Sequence, residues 1–194
     1  MSDDNRWLRE RTVSGDAYDA TYERRAAEGR NVHGEADFVM RFAPGTVLDA
    51  GCGTGRVGRE LARRGVAVAG VDIDGEMLGT ARSKAPEVEW ILGDLASIDL
   101  GRRFDAIVMA GNVMIFLAPD SEAAVVANLA HHLRPDGVLI AGFQLQPGRL
   151  AIERYDEIAA AGGLTLAERW GTWDREAWSP GGHYAVSVHR PRAG

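Results

Sequence analysis

A single cysteine, Cys52, stands in a chain of 194 residues, so an intramolecular disulfide and a cysteine cage around zinc are both excluded. Lying in a glycine-rich stretch, that thiol reads as a small packing residue before it reads as a nucleophile. Long apolar runs are missing as well: no segment approaches the ~18 consecutive apolar residues that cross a bilayer. The opening residues MSDDNRWLRERT hold no apolar stretch of the kind a secretory signal needs, and we expect a cytosolic, cytoplasmic protein without a membrane partner. Basic blocks are absent. Lys and Arg number 22 against 28 Asp and Glu, for a formal net charge of -6, which argues against a nucleic-acid partner. No Gly-Lys-Ser or Gly-Lys-Thr occurs anywhere, which excludes a Walker A phosphate loop. His131 and His132 are adjacent, without the i, i+4 spacing of a metal pair; they read as a solvated helix end, and no metal site is predicted.

What is present is ordinary globular composition, 45% hydrophobic and 26% charged, on a length that suits one domain with one good core. Residues 4–29 read as helical with breaks at Gly15 and Gly29, and residues 35–43 as a short helix stopped by Pro44-Gly45. From there short apolar strands alternate with helices. Strands are predicted at 46–50, 66–71, 88–92, 104–110 and 138–143, and helices at 56–64, 76–84 and 121–133. Asp120 or Ser121 is the candidate N-cap of the last helix, and Pro135-Asp-Gly137 a turn before the fifth strand. This alternation predicts a mainly parallel sheet covered on both faces. A further helix at 150–161 precedes two strand-like runs, 164–173 and 183–189, with Pro180-Gly-Gly182 as a tight turn between them; they predict an antiparallel hairpin at the sheet's end.

Parallel sheets of this kind bind ligands beyond the carboxyl ends of their strands. Those ends carry VLDAGCGTGR (residues 47–56), Asp72, Asp94 and Gly111-Asn112. A strand-to-helix turn offers free backbone N–H groups, and glycines let a ligand approach the chain. Residues 53–58, GTGRVG, match the dinucleotide pattern G-x-G-x-x-G, which alone is a weak signal. Asp49, placed ahead of the glycines, would repel a pyrophosphate and favour a ligand bearing positive charge. Asp72 is placed to accept ribose hydroxyls in either case, and Asp94 to accept a hydrogen bond from an adenine amino group.

Taken together, VLDAGCGTGR, VAGVDIDGEML, ILGDL, FDAIVMAGNVMIFL and LRPDGVLIAGF, in that order, resemble the successive motifs of the class I S-adenosylmethionine-dependent methyltransferases. The resemblance runs from about residue 47 to 143. It implies a Rossmann-like α/β fold: seven strands, mainly parallel, helices on both faces, and a C-terminal antiparallel edge hairpin. It also implies that the single domain 1–194 divides into an N-terminal helical lid or substrate segment (1–45), a cofactor-binding core (46–143) and a last helix with edge hairpin (144–194). Carried over residue by residue, Gly51, Gly53 and Gly55, with Ala50 and Cys52 among them, would lie against the methionine and ribose portions of S-adenosylmethionine, and Asp49 near its amino group. Asp72 would hold the ribose hydroxyls, and Ile73 and Met77 would flank the adenine. Gly93, Asp94 and Leu95 would read the adenine edge, and Ala110, Gly111 and Asn112 would lie beneath the sulfonium. His33, in a segment that in relatives contacts the cofactor's carboxylate or lids the site, completes the set.

The Asn-Pro-Pro-Tyr-like motif of relatives acting on amide or nucleobase nitrogen is absent, residues 110–114 reading AGNVM. Methyl transfer from a sulfonium demands alignment, exclusion of water and at most one proton removal, and no catalytic residue is assigned. The expected reaction is transfer to a small molecule at oxygen or nitrogen, releasing S-adenosylhomocysteine. Trp7, Tyr18, Tyr22, Phe116, Phe143 and Tyr155 are candidates for an apolar acceptor wall or for core, Trp170, Trp173 and Trp178 for packing or a dimer contact, and His183 for a base or a surface residue. Two alternatives stay open: a non-catalytic S-adenosylmethionine-binding module, and a nicotinamide-dependent oxidoreductase using GTGRVG.

Overall fold

The computed structural model describes residues 5–11, 14–29 and 31–192; residues 4, 12 and 13 of the predicted N-terminal helical stretch, and both ends of the predicted domain, lie outside them. Seven strands, β1 Thr46–Ala50, β2 Ala67–Asp72, β3 Glu89–Leu92, β4 Phe104–Met109, β5 Leu133–Gln144, β6 Leu164–Trp170 and β7 Tyr184–Pro191, form one sheet in the order β3-β2-β1-β4-β5-β7-β6. The first five run parallel, and β7 lies antiparallel between β5 and β6. Around the sheet pack α1 Arg6–Glu10, α2 Gly15–Ala27, α3 Gly34–Met40, α4 Arg56–Arg63, α5 Gly75–Lys84, α6 Val113–Phe116, α7 Glu122–His131 and α8 Ile152–Ala161. The seven-stranded mixed sheet with its antiparallel edge is the architecture expected from the sequence.

Alternation along each strand divides the core between two faces. Leu48 and Ala50 join Ile107, Leu139 and the inner residues of α7 and α8 on one side. Val47 joins Ala106, Val108, Ile140 and the apolar stripes of α3 and α4 on the other. A smaller cluster of Leu78, Ala81, Trp90 and Cys52 packs α5 against β3. Because β2 lies on one side of β1 and β4 on the other, the direction of winding reverses between β1 and β4. A crevice opens at the carboxyl ends of strands at such a point.

Three local expectations are corrected. Residues 135–137 are not a free turn: β5 starts at Leu133, and the pairing with β4 jumps from Phe104↔Leu133 to Ala106↔Val138, so Pro135-Asp-Gly137 bulges from a continuous strand. The β6–β7 connection is longer than a tight glycine turn, and the expected turn lies within it, closed by the Gly182 N–H on the Ser179 carbonyl at 3.0 Å. The connection runs from Trp170 to Tyr184, returns through the bridge Trp170↔Ala177 and sets the Trp173 ring edge-on to Phe38 with 5.5 Å between centroids. Packing thus claims Trp173. His132 is not solvated: it is 2% exposed, its Nε2 accepts the Leu100 N–H at 3.1 Å and its Nδ1 sits 2.8 Å from the Asn128 carbonyl. Ser121 does stand at the N-cap of α7, though without a side-chain capping bond.

Candidate functional site

The crevice at the β1/β4 reversal opens into a cleft of about 910 Å³, its open mouth included. Its floor is the turn after β1. The N–H groups of Gly51 and Cys52 both reach the Val71 carbonyl, and the Gly53 N–H donates to Asp72 Oδ2 at 2.7 Å. Loop and β2 terminus are thereby one unit. The other oxygen of Asp72 accepts the Asp74 N–H at 2.8 Å, and Asp74 in turn caps α5 by accepting from Glu76 and Met77.

The three glycines of the turn differ in what surrounds them. A Cβ at Gly53 would meet nothing within 4 Å, whereas at Gly51 it would strike Val113 at 2.5 Å and at Gly55 the Trp90 ring at 2.5 Å. Gly53 is the one with open space beside it. Gly55 does not line the cleft; its left-handed φ of 74° starts α4, and its bare Cα admits the indole.

Two buried acids face the cleft. Asp49 is 2% exposed and accepts the Gly58 N–H at 2.8 Å; burial pushes its carboxyl up to about 7. Asp72 is pushed up to about 6 by burial, against the opposing pull of the Asp74 and Gly53 N–H groups. Each is therefore costly to ionise and positioned to gain from a positively charged or hydroxyl-bearing ligand. Asp94, following β3, accepts the Ala96 N–H at 2.9 Å, and Asn128 holds the loop beyond it through the carbonyls of Leu95 and Ile98. Burial raises the Cys52 thiol well above its ordinary range, as suits an inert packing group.

Of the residues expected at the site, Asp49, Gly51, Cys52, Gly53, Asp72 and Ile73 line the cleft, as do Met77, Gly93, Asp94, Leu95, Ala110 and Gly111. Four do not. Ala50 and Gly55 are occupied by packing. Asn112, at φ 71°, turns its carbonyl oxygen to the Gln144 N–H at 2.9 Å, tying the end of β4 to that of β5. His33 is 45% exposed beside Glu60, with Nδ1 3.8 Å from its carboxylate.

The sequence reading missed Asn5, Thr54, Arg56 and Val57, together with Val113 and Leu117. Thr54, Arg56 and Val57 adjoin the glycine motif, and that adjacency was the available signal. Arg56 donates to the Val32 carbonyl at 2.6 Å and to Glu35 through both terminal nitrogens. It lies 4.1 Å over the Tyr22 ring, and its Nε is buried without a partner. Among the aromatic candidates, Trp7, Tyr18 and Phe116 line the cleft. Tyr22 sits behind Tyr18 with the hydroxyls 3.3 Å apart, and Phe143 and Tyr155 are core.

Over this floor α1 and α2 form a cap. Trp7 meets Phe116 edge-on at 5.5 Å and donates from Nε1 to Asp74 at 2.9 Å, where Arg11 also binds. On α2, Asp19 is 4% exposed and receives Thr54 Oγ1 at 2.5 Å, Arg59 at 3.0 Å and Lys84 at 2.6 Å. Among the described residues no group of three or more His, Cys, Asp or Glu could hold a metal ion, and no helix is long and apolar enough to cross a membrane.

Comparison with known proteins bears on this geometry. Residues 47–137 match the family described as "Methyltransferase domain". A TehB-like SAM-dependent methyltransferase from Corynebacterium glutamicum superposes with a TM-score of 0.84 at 35% identity, covering 92% of this chain and 98% of that one. Among curated proteins, a dTDP-3-amino-3,6-dideoxy-alpha-D-glucopyranose N,N-dimethyltransferase of Streptomyces fradiae is 34% identical over 58% of this chain and 47% of its own length. The related dTDP-3-amino-3,4,6-trideoxy-alpha-D-glucopyranose N,N-dimethyltransferase of Streptomyces venezuelae is 33% identical over 64% of this chain and 54% of its own. The chain thus spans about half the length of these curated relatives. With matching motifs, strand order and near-complete overlap with the corynebacterial structure, the chain belongs to the class I S-adenosylmethionine-dependent methyltransferases.

Proposed function

We propose that the protein transfers a methyl group from S-adenosylmethionine to a small molecule, at oxygen or nitrogen. The observation that carries the reading is the pairing of two buried, reluctantly ionised acids, Asp49 and Asp72, on one cleft wall. A phosphate-bearing dinucleotide would make that wall worse; an ammonium and a pair of ribose hydroxyls relieve it.

In this reading Asp49 takes the ammonium of the cofactor's amino-acid end, and the unpartnered Nε of Arg56 takes its carboxylate. Asp72 accepts the ribose hydroxyls while Gly53 and Asp74 hold its two oxygens in place. Ile73 and Met77 flank the adenine, Asp94 and Leu95 read its edge, and Ala110-Gly111 form the surface under the sulfur. His33, Gly55, Ala50 and Asn112 act at a distance, by packing or by tying loops. When bound, S-adenosylmethionine supplies an activated methyl group, and the chain's own task is alignment and exclusion of water. The cap is suited to the second, closing the cleft with Trp7 and Tyr18.

Calorimetric titration with S-adenosylhomocysteine, S-adenosylmethionine and NADH tests this. Micromolar binding of the first two and none of the third is expected. Binding of NADH alone would make GTGRVG the operative motif and overturn the proposal, and S-adenosylmethionine binding with no turnover of any acceptor would reduce the protein to a binding module.

A further inference from the structure

The assignment of the donor leaves the acceptor atom open. We propose that the acceptor is an amine nitrogen of a small molecule, which enters as the free base and is oriented by the hydroxyl of Tyr18; this rests on the S-adenosylmethionine reading and adds the substrate class to it.

Each kind of acceptor makes its own demand on the walls. A neutral hydroxyl needs a proton acceptor close to the bond-forming atom. Among the described residues no His, Lys or Glu lines the cleft. The carboxylates that do are tied to backbone N–H groups, Asp49 to Gly58, Asp72 to Gly53 and Asp74, and Asp94 to Ala96, and stand at the ends of strands on the nucleoside and amino-acid side. The Tyr18 phenol is held neutral by burial and by Tyr22, and the Cys52 thiol by burial.

An anionic acceptor, carboxylate or thiolate, needs a cation to meet it. Among the described residues the cations bordering the cleft are already engaged, and the one free nitrogen of Arg56 is assigned above to the cofactor's carboxylate. Arg11 is bound to Asp74 and Glu76, Arg56 to Glu35, and Arg59 and Lys84 to Asp19. Among the described residues Arg56 is the one cation lining the cleft, so with the lining acids given to the cofactor an anionic acceptor finds no unengaged protein cation to meet it.

An amine makes neither demand. The positive sulfonium together with loss of water disfavours its protonated form in the cleft, so it is the free base that enters. Tyr18 Oη lies 3.3 Å from Tyr22 Oη and 3.6 Å from where a Cβ on Gly111 would stand, above the surface assigned to the sulfur. When Tyr18 donates to Tyr22, its lone pairs are free to accept the amine N–H and aim the nitrogen. The nitrogen lone pair forms the N–C bond as the C–S bond breaks, with its electron pair passing to sulfur. Positive charge moves from sulfur to nitrogen, where the rings of Trp7 and Phe116 tolerate it. The new ammonium gives its proton to water on leaving, so no protein base is consumed.

The test uses the full chain with S-[methyl-³H]adenosylmethionine and a deproteinised small-molecule extract of the source cells. Label is expected in an alkali-stable product retained on a cation exchanger, with kcat/KM rising with pH toward the acceptor's own amine pKa. Label released as methanol by mild alkali, or found in a neutral ether, overturns the proposal. No label in any fraction, from protein that binds S-adenosylhomocysteine, overturns the transferase reading and this inference with it. With the product purified, Tyr18→Phe should weaken its binding and lower kcat about tenfold each, the worth of one hydrogen bond to a charged partner. Its S-adenosylhomocysteine affinity should match wild type. Unchanged product affinity and unchanged kcat in a folded variant would remove Tyr18 from the site.

Discussion

The glycine loop and the N-terminal helices face each other across one cleft, and they are held in place by different forces. On the floor, the acids are fixed through backbone: Asp49 by the Gly58 N–H, Asp72 by those of Gly53 and Asp74. Trp90 and Val113 fill the space that bare glycines leave. Among its described residues the cap has little apolar anchoring beyond Trp7 against Phe116. Helix α1 has no buried residue, and α2 buries only Gly15 and Asp19. What fastens it is a set of side-chain pairs: Asp19 with Thr54, Arg59 and Lys84, Asp74 with Trp7 and Arg11, and Glu10 with Arg149. Buried backbone contacts persist until the fold itself is lost, whereas partly solvated ion pairs open at lower cost. A preformed floor under a releasable cap is the consequence.

The largest effect should come from removing the floor's central carboxylate. In Asp72→Ala the ribose hydroxyls lose their acceptor and the Gly53 and Asp74 N–H groups lose theirs. Binding of S-adenosylhomocysteine should weaken by roughly 1–3 kcal/mol, about 5- to 150-fold, by calorimetry on folded protein. Affinity equal to wild type would sink the ribose assignment and, with it, the claim that the floor is the binding surface.

Packing beneath the floor gives the next effect. A Cβ at Gly70, in β2, would stand 2.4 Å from the Trp90 ring, so Gly70→Ala should destabilise the protein by roughly 1–3 kcal/mol, as overpacked cores do. Adding Trp90→Leu should return part of that loss, because the smaller side chain clears the site. Denaturant titration of the two single variants and the double variant measures the coupling. Additive losses would mean that the indole is not what excludes a side chain there.

The same division explains how far the sequence could be read. Floor residues lie within a few positions of one another or at successive strand ends, so motif order located Asp49, Asp72 and Asp94 with the correct sheet around them. Gly51 and Gly55 look equivalent to Gly53 in VLDAGCGTGR, but what distinguishes them is Val113 and Trp90, distant in sequence. Arg56 escaped notice because its partners, Val32, Glu35 and Tyr22, lie 21 or more residues upstream in sequence. His33 looked like a lid contact for the converse reason: nothing local indicated that it would turn toward Glu60. His132 belongs with these cases, since its burial depends on the 95–100 loop folding over the end of α7.

A pH series sharpens the contrast from the floor's side. Asp49 is held up at about 7 in the free protein by burial, and the cofactor's ammonium favours its ionised form. Binding below that value must therefore release a proton. Between pH 6 and pH 8 the charged fraction of Asp49 rises about tenfold, and affinity for S-adenosylhomocysteine should rise by up to the same factor and then level off. In Asp49→Asn the dependence should be much reduced. Calorimetry in two buffers of different ionisation enthalpy reads the released proton directly. Affinity independent of pH in the wild type would remove Asp49 from the ammonium position.

The smallest effect, and the one specific to the cap, should come from Asp19→Ala. The carboxylate is buried, but Arg59 and Lys84 are 25% and 30% exposed, so both can turn to water when it is removed. The loss should be about 1 kcal/mol, the low end for leaving the buried Thr54 hydroxyl without its acceptor, since the two partly exposed cations lose little. It should appear locally, as roughly fivefold faster hydrogen exchange in residues 14–29 with protection in β1 and β4 unchanged. Raising salt in the wild type should move the same amides in the same direction by less, and should move them little further in the variant, whose screened pairs are already gone. Acceleration spread evenly over cap and floor would mean that α2 unfolds with the core. The polar fastening would then be a boundary of one cooperative unit, and entry to the cleft would have to occur through its open mouth with the cap in place.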